Sequence, residues 1–304
     1  MVYNSPETIL VAQHGWADNN RAMLAFGRAV ASPATLVIAP DLGYRRTWLR
    51  MAPLIDTAEQ AVEQALQEHP SAILRIVGHS MGGLIWIELL TRRPDWLRRT
   101  DRLVLIGCPV GGANLAAILD PLGLTIGRDL SVDRRALAEA LIPSVPTLVI
   151  VGDLLGPHDG TVSHDSARID NARFIRVPSS SHAGLRRSRW VTALVRAFLE
   201  RADPPPPDLD AIIAHLQAAT RLRAVDAQMV QLASVRCMFQ EGSTIRTLRL
   251  PGHAEIVFVV NAVGECHYAG DVTWRDRRGL EAAVRAISTE RKDAIPNAAP
   301  ALPA

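Results

Sequence analysis

Three residues with the chemistry of a nucleophile, an acid and a base lie in turn-like segments of the chain. Ser80 lies within Gly78-His-Ser-Met-Gly82, Asp159 begins the run Asp-Gly-Thr-Val, and His182 follows three serines. A serine hydroxyl is a poor nucleophile at neutral pH, and it needs a histidine base that a carboxylate orients and stabilises in its charged form. These residue types, in this order, predict nucleophilic catalysis by Ser80 with His182 as the base.

The pattern around Ser80 is that of a strand, a sharp turn and a helix. An apolar run begins at Ile73 and ends at Gly78, and an apolar helical pattern follows Ser80 at once. Glycines beside the serine let the strand and the helix approach closely at a strained turn. The amino end of such a helix directs backbone N–H groups toward an oxyanion on the substrate.

Asp159 and His182 are also expected to follow strands. An apolar run at 147–151 precedes the acid, and a second run at 173–177 precedes the histidine. Similar runs alternate with helical patterns through the first 200 residues. This alternation is typical of an α/β fold with a mostly parallel sheet that helices cover on both faces.

Residues 1–202 resemble the α/β-hydrolase superfamily, in particular its lipase- and esterase-like members. The chain order Ser, Asp, His is the order of that superfamily. The resemblance implies a mostly parallel sheet, trimmed at its amino end to about six strands, and a small lid between residues 109 and 146. The segments that carry it are His14-Gly-Trp16, Pro40-Asp41, Gly78-His-Ser-Met-Gly-Gly83, Asp159-Gly-Thr-Val162 and Ser181-His-Ala-Gly184.

The resemblance also implies the roles of individual residues. The backbone N–H groups of Met81 and Trp16 would form an oxyanion hole, because these residues follow the nucleophile and the His-Gly pair. Two carboxylates compete for the role of the acid: Asp153 follows its strand directly, whereas Asp159 lies in the Asp-Gly-x-Val context that the family often uses. We predict that Asp159 is the acid and keep Asp153 as the alternative, with a loop-bracing role if it is not the acid.

Other polar and apolar features near the predicted site have structural interpretations. We expect His14 and His79 to brace loops through hydrogen bonds rather than to react. The apolar segments 115–119 and 122–126 either line an acyl pocket or pack onto the sheet, and the sequence leaves both open. Most of the adjacent arginine pairs, of which Arg186-Arg187 is one, are expected on solvated faces.

The composition limits the partners and cofactors of the protein. The net charge of +2 implies no nucleic-acid partner, and no apolar run reaches the roughly 20 residues of a membrane span. Three widely separated cysteines without metal-ligand spacing indicate reduced thiols in a cytoplasmic protein. We expect neither a metal ion nor an organic cofactor, because acyl transfer through a serine needs none.

A change of pattern marks a second domain. The proline-rich segment 203–207 is a stiff linker, residues 208–290 have helix and antiparallel-strand patterns typical of a small α+β domain, and 291–304 is expected to be a disordered tail. No sequence pattern indicates a role for the second domain.

The predicted function is hydrolysis of a small-molecule or lipid carboxylic ester, such as an acylglycerol, through an acyl-enzyme on Ser80. An acyltransferase or thioesterase would use the same three residues. The alternative from a different class is an interaction or regulatory protein, in which the hydrolase fold is a scaffold and the C-terminal domain binds a protein partner.

Overall fold

The computed structural model describes residues 6–113, 126–154, 156–200, 207–250, 255–291 and 293–296. The chain divides into two compact units, of which the first comprises Met1–Phe174 with Ser180–Glu200 and the second Ile175–Ser179 with Arg201–Ala304. The division after residue 200 is close to the predicted boundary at 202. The grouping of 175–179 with the second unit has no counterpart in any local sequence pattern.

The first sheet has six strands in the order β2-β1-β3-β4-β5-β6. The pairs β1–β2, β1–β3, β3–β4 and β4–β5 are parallel, so the predicted mostly parallel sheet of about six strands is confirmed. The strands are β1 (Thr8–Gln13), β2 (Thr35–Ile38), β3 (Ile73–His79), β4 (Thr100–Ile106), β5 (Thr147–Asp153) and β6 (Arg173–Pro178).

Helices alternate with these strands. Every residue of β1 and β5 is buried, as expected for strands that are covered on both faces. The helices are α1 (Asn20–Val30), α2 (Ala52–Glu68), α3 (Met81–Arg92), α4 (Pro94–Arg99), α5 (Ile126–Leu130), α6 (Arg135–Leu141), α7 (His164–Ala167), α8 (His182–Leu185) and α9 (Arg189–Leu199).

The start of α2 and the predicted lid are two features of this unit for which the sequence made a prediction. The helical spacing of Ala and Leu over residues 56–68 predicts a helix that begins at a capping residue, Asp56 or Thr57. Helix α2 begins instead at Ala52, because Pro53 fits the first helical turn, where its missing N–H group is not needed. Residues 114–125 of the predicted lid, which include 115–119 and 122–125, lie outside the described residues, so neither interpretation of those segments is tested. Within the described ranges, no helix is long and apolar enough to cross a membrane.

The strand order brings the predicted functional segments together. The turns after β1, β3, β5 and β6 carry Trp16, Ser80, Asp159 and His182, and the strand order makes β1 and β3 neighbours and β5 and β6 neighbours, with β4 between β3 and β5. Because β1, β3 and β5 run parallel, the turns that follow them meet at one edge of the sheet, as in other open α/β folds. The turn after β6 reaches the same edge, since His182 contacts Asp159.

The second unit contains an antiparallel sheet. Its neighbouring strands are antiparallel, in the order β12-β8-β9-β10-β11-β7. Two helices, α10 (Leu209–Ala219) and α11 (Arg277–Glu290), share a buried apolar cluster with strands of this sheet. The strands are β7 (Leu222–Ala224), β8 (Ser234–Phe239), β9 (Thr244–Leu248), β10 (Glu255–Val260), β11 (Cys266–Val272) and β12 (Ala294–Pro296).

Strand β12 corrects the expected tail. The sequence predicted disorder from residue 291, but Ala294–Pro296 pairs with the edge strand β8, with Ala294 opposite Phe239. An edge strand presents unpaired N–H and C=O groups, and even a three-residue segment can pair with some of them. Residues 297–304, and 203–206 of the predicted linker, lie outside the described residues.

Candidate active site

Ser80 occupies a strained turn between β3 and α3. Its φ of 57° and ψ of −129° lie in a region that residues with a side chain rarely adopt. The strand and the helix approach so closely that an ideal Cβ on Gly78 would lie 2.5 Å from the Cα of Gly83. The Ser80 N–H group donates to the Ile106 carbonyl of β4 at 2.8 Å, which anchors the turn to the neighbouring strand.

The turn after β1 lies directly against this serine. We call residues 14–18 the oxyanion loop, since it contains Trp16. An ideal Cβ on Gly15 would lie 2.9 Å from the Met81 nitrogen and 3.1 Å from the Ser80 Cβ. Only glycine allows so close an approach. The two residues whose N–H groups were predicted to bind an oxyanion therefore belong to segments that are in contact.

His14 braces the oxyanion loop from within the protein. Its side chain is fully buried, and its Nε2 accepts a hydrogen bond from the Leu42 N–H group at 3.1 Å. Nε2 is therefore unprotonated, and Nδ1 carries the proton that it donates to the Gly15 carbonyl at 3.1 Å. Burial lowers the pKa of His14, which keeps the ring neutral. The expectation of a bracing role is confirmed.

Asp159 and His182 form a short hydrogen bond. The His182 Nδ1 lies 2.7 Å from the Asp159 Oδ2, and the His182 backbone N–H group donates to the Asp159 carbonyl at 2.8 Å. The remaining carboxylate oxygen, Oδ1, accepts from the N–H groups of Thr161 and Val162 at 2.9 and 2.7 Å. Because Nδ1 donates to the carboxylate, the neutral ring has Nε2 unprotonated, as a base needs.

The hydrogen bonds to Asp159 determine its protonation state. Burial alone would raise the pKa of this carboxyl group, but the hydrogen bond from His182 and those from the Val162 and Thr161 N–H groups outweigh it, so that the pKa is lowered. Asp159 is therefore a carboxylate at neutral pH.

Two small local features position the pair. The Ser181 Oγ accepts a hydrogen bond from the Gly184 N–H group at 3.3 Å and caps α8, the short helix that His182 begins. Gly107, at the end of β4, has a φ of 56°, and an ideal Cβ there would lie 3.0 Å from the His182 Nδ1 and 3.1 Å from the Asp159 Oδ2. The pair therefore packs closely against a backbone position that strongly favours glycine.

His79, which precedes Ser80, braces the histidine. Its Nε2 lies 3.1 Å from the His182 carbonyl, and the centroids of the two rings are 4.8 Å apart. Burial, followed by the nearby His182 ring, lowers the pKa of His79 from 6.5 to about 3. The ring is neutral at pH 7 and donates its proton to the carbonyl, so His79 has the bracing role that the sequence predicted.

Asp153, the alternative acid, is buried beside a different histidine. Its Oδ1 lies 3.9 Å from the Nε2 of His164, and that nitrogen lies 2.8 Å from the Gly152 carbonyl. The structure thus brings Asp159 to His182 and associates Asp153 with His164.

Sequence reasoning missed an ion pair beside the site. Asp18, two residues after Trp16, pairs with Arg186, and their side chains are only 17% and 13% exposed. Arg186 belongs to one of the adjacent arginine pairs, most of which were expected on solvated faces, and it is an exception to that expectation. No local pattern reveals the pair, because its partners lie in loops far apart in the sequence. Among the described residues, no group of three or more histidine, cysteine or acidic side chains is placed to hold a metal ion.

A parallel sheet with a serine at a strained strand-to-helix turn, and with an Asp–His pair after later strands, defines an α/β-hydrolase. The family model of the serine aminopeptidases, S33, matches residues 4–166, which is more than half of the chain. The protein belongs to this family and is a serine hydrolase. The expected superfamily resemblance is therefore confirmed. Comparison with curated protein sequences gave no match.

Solved structures with a similar fold include several lipases and esterases. Est1E from Butyrivibrio proteoclasticus, with bound ferulic acid, has a TM-score of 0.50 at 17% identity, over 66% of this chain and 92% of that one. The mature lipase BlEst2 from Bacillus licheniformis has a TM-score of 0.45 at 15% identity, over 59% of this chain and 86% of that one. At these identities the likeness shows the fold alone.

Proposed function

We propose that the protein hydrolyses carboxylic esters through an acyl-enzyme on Ser80. The observation that carries this proposal is the 2.7 Å hydrogen bond between the Asp159 Oδ2 and the His182 Nδ1 at the sheet edge that also carries the strained Ser80. An oriented histidine with its Nε2 available is what a serine needs to become a nucleophile. Asp159 is the proposed acid, and Asp153 is not part of the catalytic set.

The proposed reaction has two stages. In the first, His182 accepts the Ser80 proton, the serine oxygen attacks the ester carbonyl, and the protonated ring then gives the proton to the departing alkoxide. In the second, His182 removes a proton from water, which attacks the acyl-enzyme, and the protonated ring then returns that proton to the Ser80 oxygen as the carboxylic acid departs. The N–H groups of Met81 and Trp16 stabilise the negative oxygen of each tetrahedral intermediate.

Esters are proposed first among acyl substrates for a chemical reason. An alkoxide departs more readily than an amide nitrogen, which must be protonated before it can leave, so an activated serine acts on esters most easily. A lipid ester such as an acylglycerol is the more specific proposal, and a series of p-nitrophenyl esters of increasing acyl length tests it. A thioester substrate or an alcohol acceptor in place of water would indicate a thioesterase or an acyltransferase.

The direct test is covalent labelling with a fluorophosphonate probe, followed by mass-spectrometric mapping of the adduct. We expect an adduct on Ser80, loss of labelling in Ser80→Ala, and loss of p-nitrophenyl acetate hydrolysis in the same variant. Asp153→Asn is a matched control, because it changes a buried carboxylate near the site that is not proposed to react. A folded wild-type protein that neither labels nor turns over esters would disprove the proposal.

The family description favours a second candidate, the release of an amino-terminal residue from peptides. The same acyl-enzyme chemistry applies, with an amine as the leaving group. Aminoacyl p-nitroanilides placed beside aminoacyl p-nitrophenyl esters distinguish the two activities, because an aminopeptidase turns over both whereas an esterase turns over only the esters.

Two further proposals concern the cellular location of the enzyme and a protein partner. We place it in the cytoplasm because all three of its cysteines are free thiols. A protein partner that binds through the second unit is also proposed, and Trp274 and Leu232 of that unit, which are 71% and 61% exposed, are the side chains at which we test it. Trp274→Ser with Leu232→Ser would then weaken a crosslinked complex and leave ester turnover unchanged.

A further inference from the structure

The oxyanion loop contains a backbone conformation that it cannot hold by itself. Ala17 follows Trp16 directly and has a φ of 52°, in the left-handed region that residues with a Cβ rarely adopt. A strained position of this kind persists only where surrounding contacts over-determine it. Two such contacts are present, one on each side of Ala17.

The first contact is a buried hydroxyl. The Ala17 N–H group donates to the Thr47 Oγ1 at 3.0 Å, and this hydroxyl donates in turn to the Tyr44 carbonyl at 2.6 Å. The Thr47 side chain is fully buried. A hydroxyl with both its acceptor and its donor functions used is fixed in orientation, so it restrains the Ala17 N–H group from the side of segment 44–47.

The second contact is the Asp18–Arg186 ion pair. Asp18 is the last residue of the oxyanion loop, and Arg186 follows α8, the helix that His182 begins. The pair therefore ties the loop that carries Trp16 to the helix that carries the base. The Arg186 charge also acts on His14, the first residue of the same loop, where it adds to the effect of burial in lowering the pKa of that ring.

We propose that Asp18, Arg186 and Thr47 are positioning residues that hold the Trp16 N–H group in its oxyanion-binding orientation relative to His182. This inference rests on the proposed function, because it assigns a purpose to the Trp16 N–H group. Donors stabilise a transition state only if they are already oriented when charge develops. The ion pair is suited to this purpose because it is largely shielded from water, where a surface pair would contribute little.

The experiment uses the full-length protein with Asp18→Asn, Arg186→Met, Thr47→Val and the charge-reversed double variant Asp18→Arg/Arg186→Asp. The matched control is Arg75→Met, which breaks the Arg75–Asp101 pair of 2.9 Å, whose side chains are 16% and 9% exposed. That pair lies at the amino ends of β3 and β4, away from Ser80. Each variant is measured for kcat and KM on p-nitrophenyl acetate, for the rate of Ser80 labelling by a fluorophosphonate, and for its thermal midpoint.

We expect each single variant of the three positioning residues to lower kcat by about 10- to 100-fold with KM changed less than threefold, since a displaced donor loses part of the roughly 100- to 1,000-fold contribution of an oxyanion-hole donor. Labelling should slow in parallel. The charge-reversed double variant should recover at least tenfold over the worse single variant, and Arg75→Met should lower only the thermal midpoint. Recovery by charge reversal distinguishes positioning from a general loss of folding.

The outcomes separate the two proposals. If the wild type labels at Ser80 but hydrolyses no ester, the proposed function fails, and the labelling rates alone still test the positioning residues. If Asp18→Asn and Arg186→Met have the kcat and the labelling rate of the wild type, the inference about positioning residues is wrong, whereas the proposed esterase function is unaffected. An equal loss of kcat in Arg75→Met would overturn it as well, because the effect would then follow from stability.

Discussion

Two buried carboxylates, one at the end of β5 and one in the loop that follows it, each lie beside a histidine, and the two pairs differ in geometry. Asp159 meets His182 at 2.7 Å, and its second oxygen accepts two backbone hydrogen bonds. Asp153 lies 3.9 Å from the Nε2 of His164, and that nitrogen lies 2.8 Å from the carbonyl of Gly152 instead.

The geometry of the loop after β5 determines which of the two aspartates can orient a histidine base. Asp153 is closer along the chain to the end of β5, yet Asp159 is the one whose loop brings a carboxylate oxygen to the imidazole of the next strand's turn. Position after a strand brings a residue to the right edge of the sheet, whereas the loop geometry decides whether its side chain can orient a base. Four predictions test this contrast.

Replacement of the two histidines should give the largest difference. His182→Ala should lower kcat by about 10⁴-fold or more, since removal of the base from a catalytic triad leaves only oxyanion stabilisation and binding. His164→Ala should keep kcat within about tenfold, because that ring takes no part in proton transfer. Both kcat values can be measured on p-nitrophenyl acetate, and comparable losses in the two variants would contradict the contrast.

The two carboxylates provide the next test. Asp159→Asn should lower kcat by about 10³- to 10⁴-fold, because an amide in place of the carboxylate no longer fixes the Nδ1–H tautomer or stabilises the charged ring. Asp153→Asn should change kcat by less than about tenfold and act mainly on the thermal midpoint. The reverse pattern would make Asp153 the acid.

A methyl group added at Gly107, beside the Asp159–His182 pair, should lower kcat less than these replacements. Gly107→Ala would place a Cβ 3.0 Å from the His182 ring at a φ of 56°, so both kcat and stability should fall, the latter by about 1–3 kcal/mol. Gly43→Ala, with a φ of 73° and its nearest contact the flexible Arg46 side chain, is the matched control. Gly43→Ala should lower stability without lowering kcat. An equal loss of kcat in both variants would show that the loss in Gly107→Ala does not come from the contact of the new Cβ with His182.

The smallest effect concerns the pH dependence of folding near His182. The pKa of His79 falls from 6.5 to about 3 on folding, so between these values the unfolded chain binds a proton that the folded chain excludes. The free energy of unfolding should therefore decrease as the pH drops from 6.5 toward 3. His79→Gln should make this decrease shallower in urea titrations at several pH values, and an unchanged slope would show that His79 is not buried in its neutral form.

Local patterns were sufficient for much of the fold. Apolar runs predicted the strands of the parallel sheet, and the glycines around Ser80 predicted the strained turn, because strand burial and turn sterics depend on residues adjacent in the chain. The same local reasoning failed at the start of α2, where a proline in the first turn was not recognised, and at Ala294–Pro296, whose pairing partner lies in a strand more than 50 residues earlier.

Local residue patterns were enough to predict the class of fold, Ser80 as the candidate nucleophile, and the order in which an acid and a base follow it. The contact of Asp159 with His182, the position of Gly107 beside that pair and the Asp18–Arg186 ion pair became visible only in the folded protein. The reason is physical: a strand or a tight turn is specified by sterics within a few residues, whereas a hydrogen bond or ion pair between loops depends on where the packed sheet brings each loop.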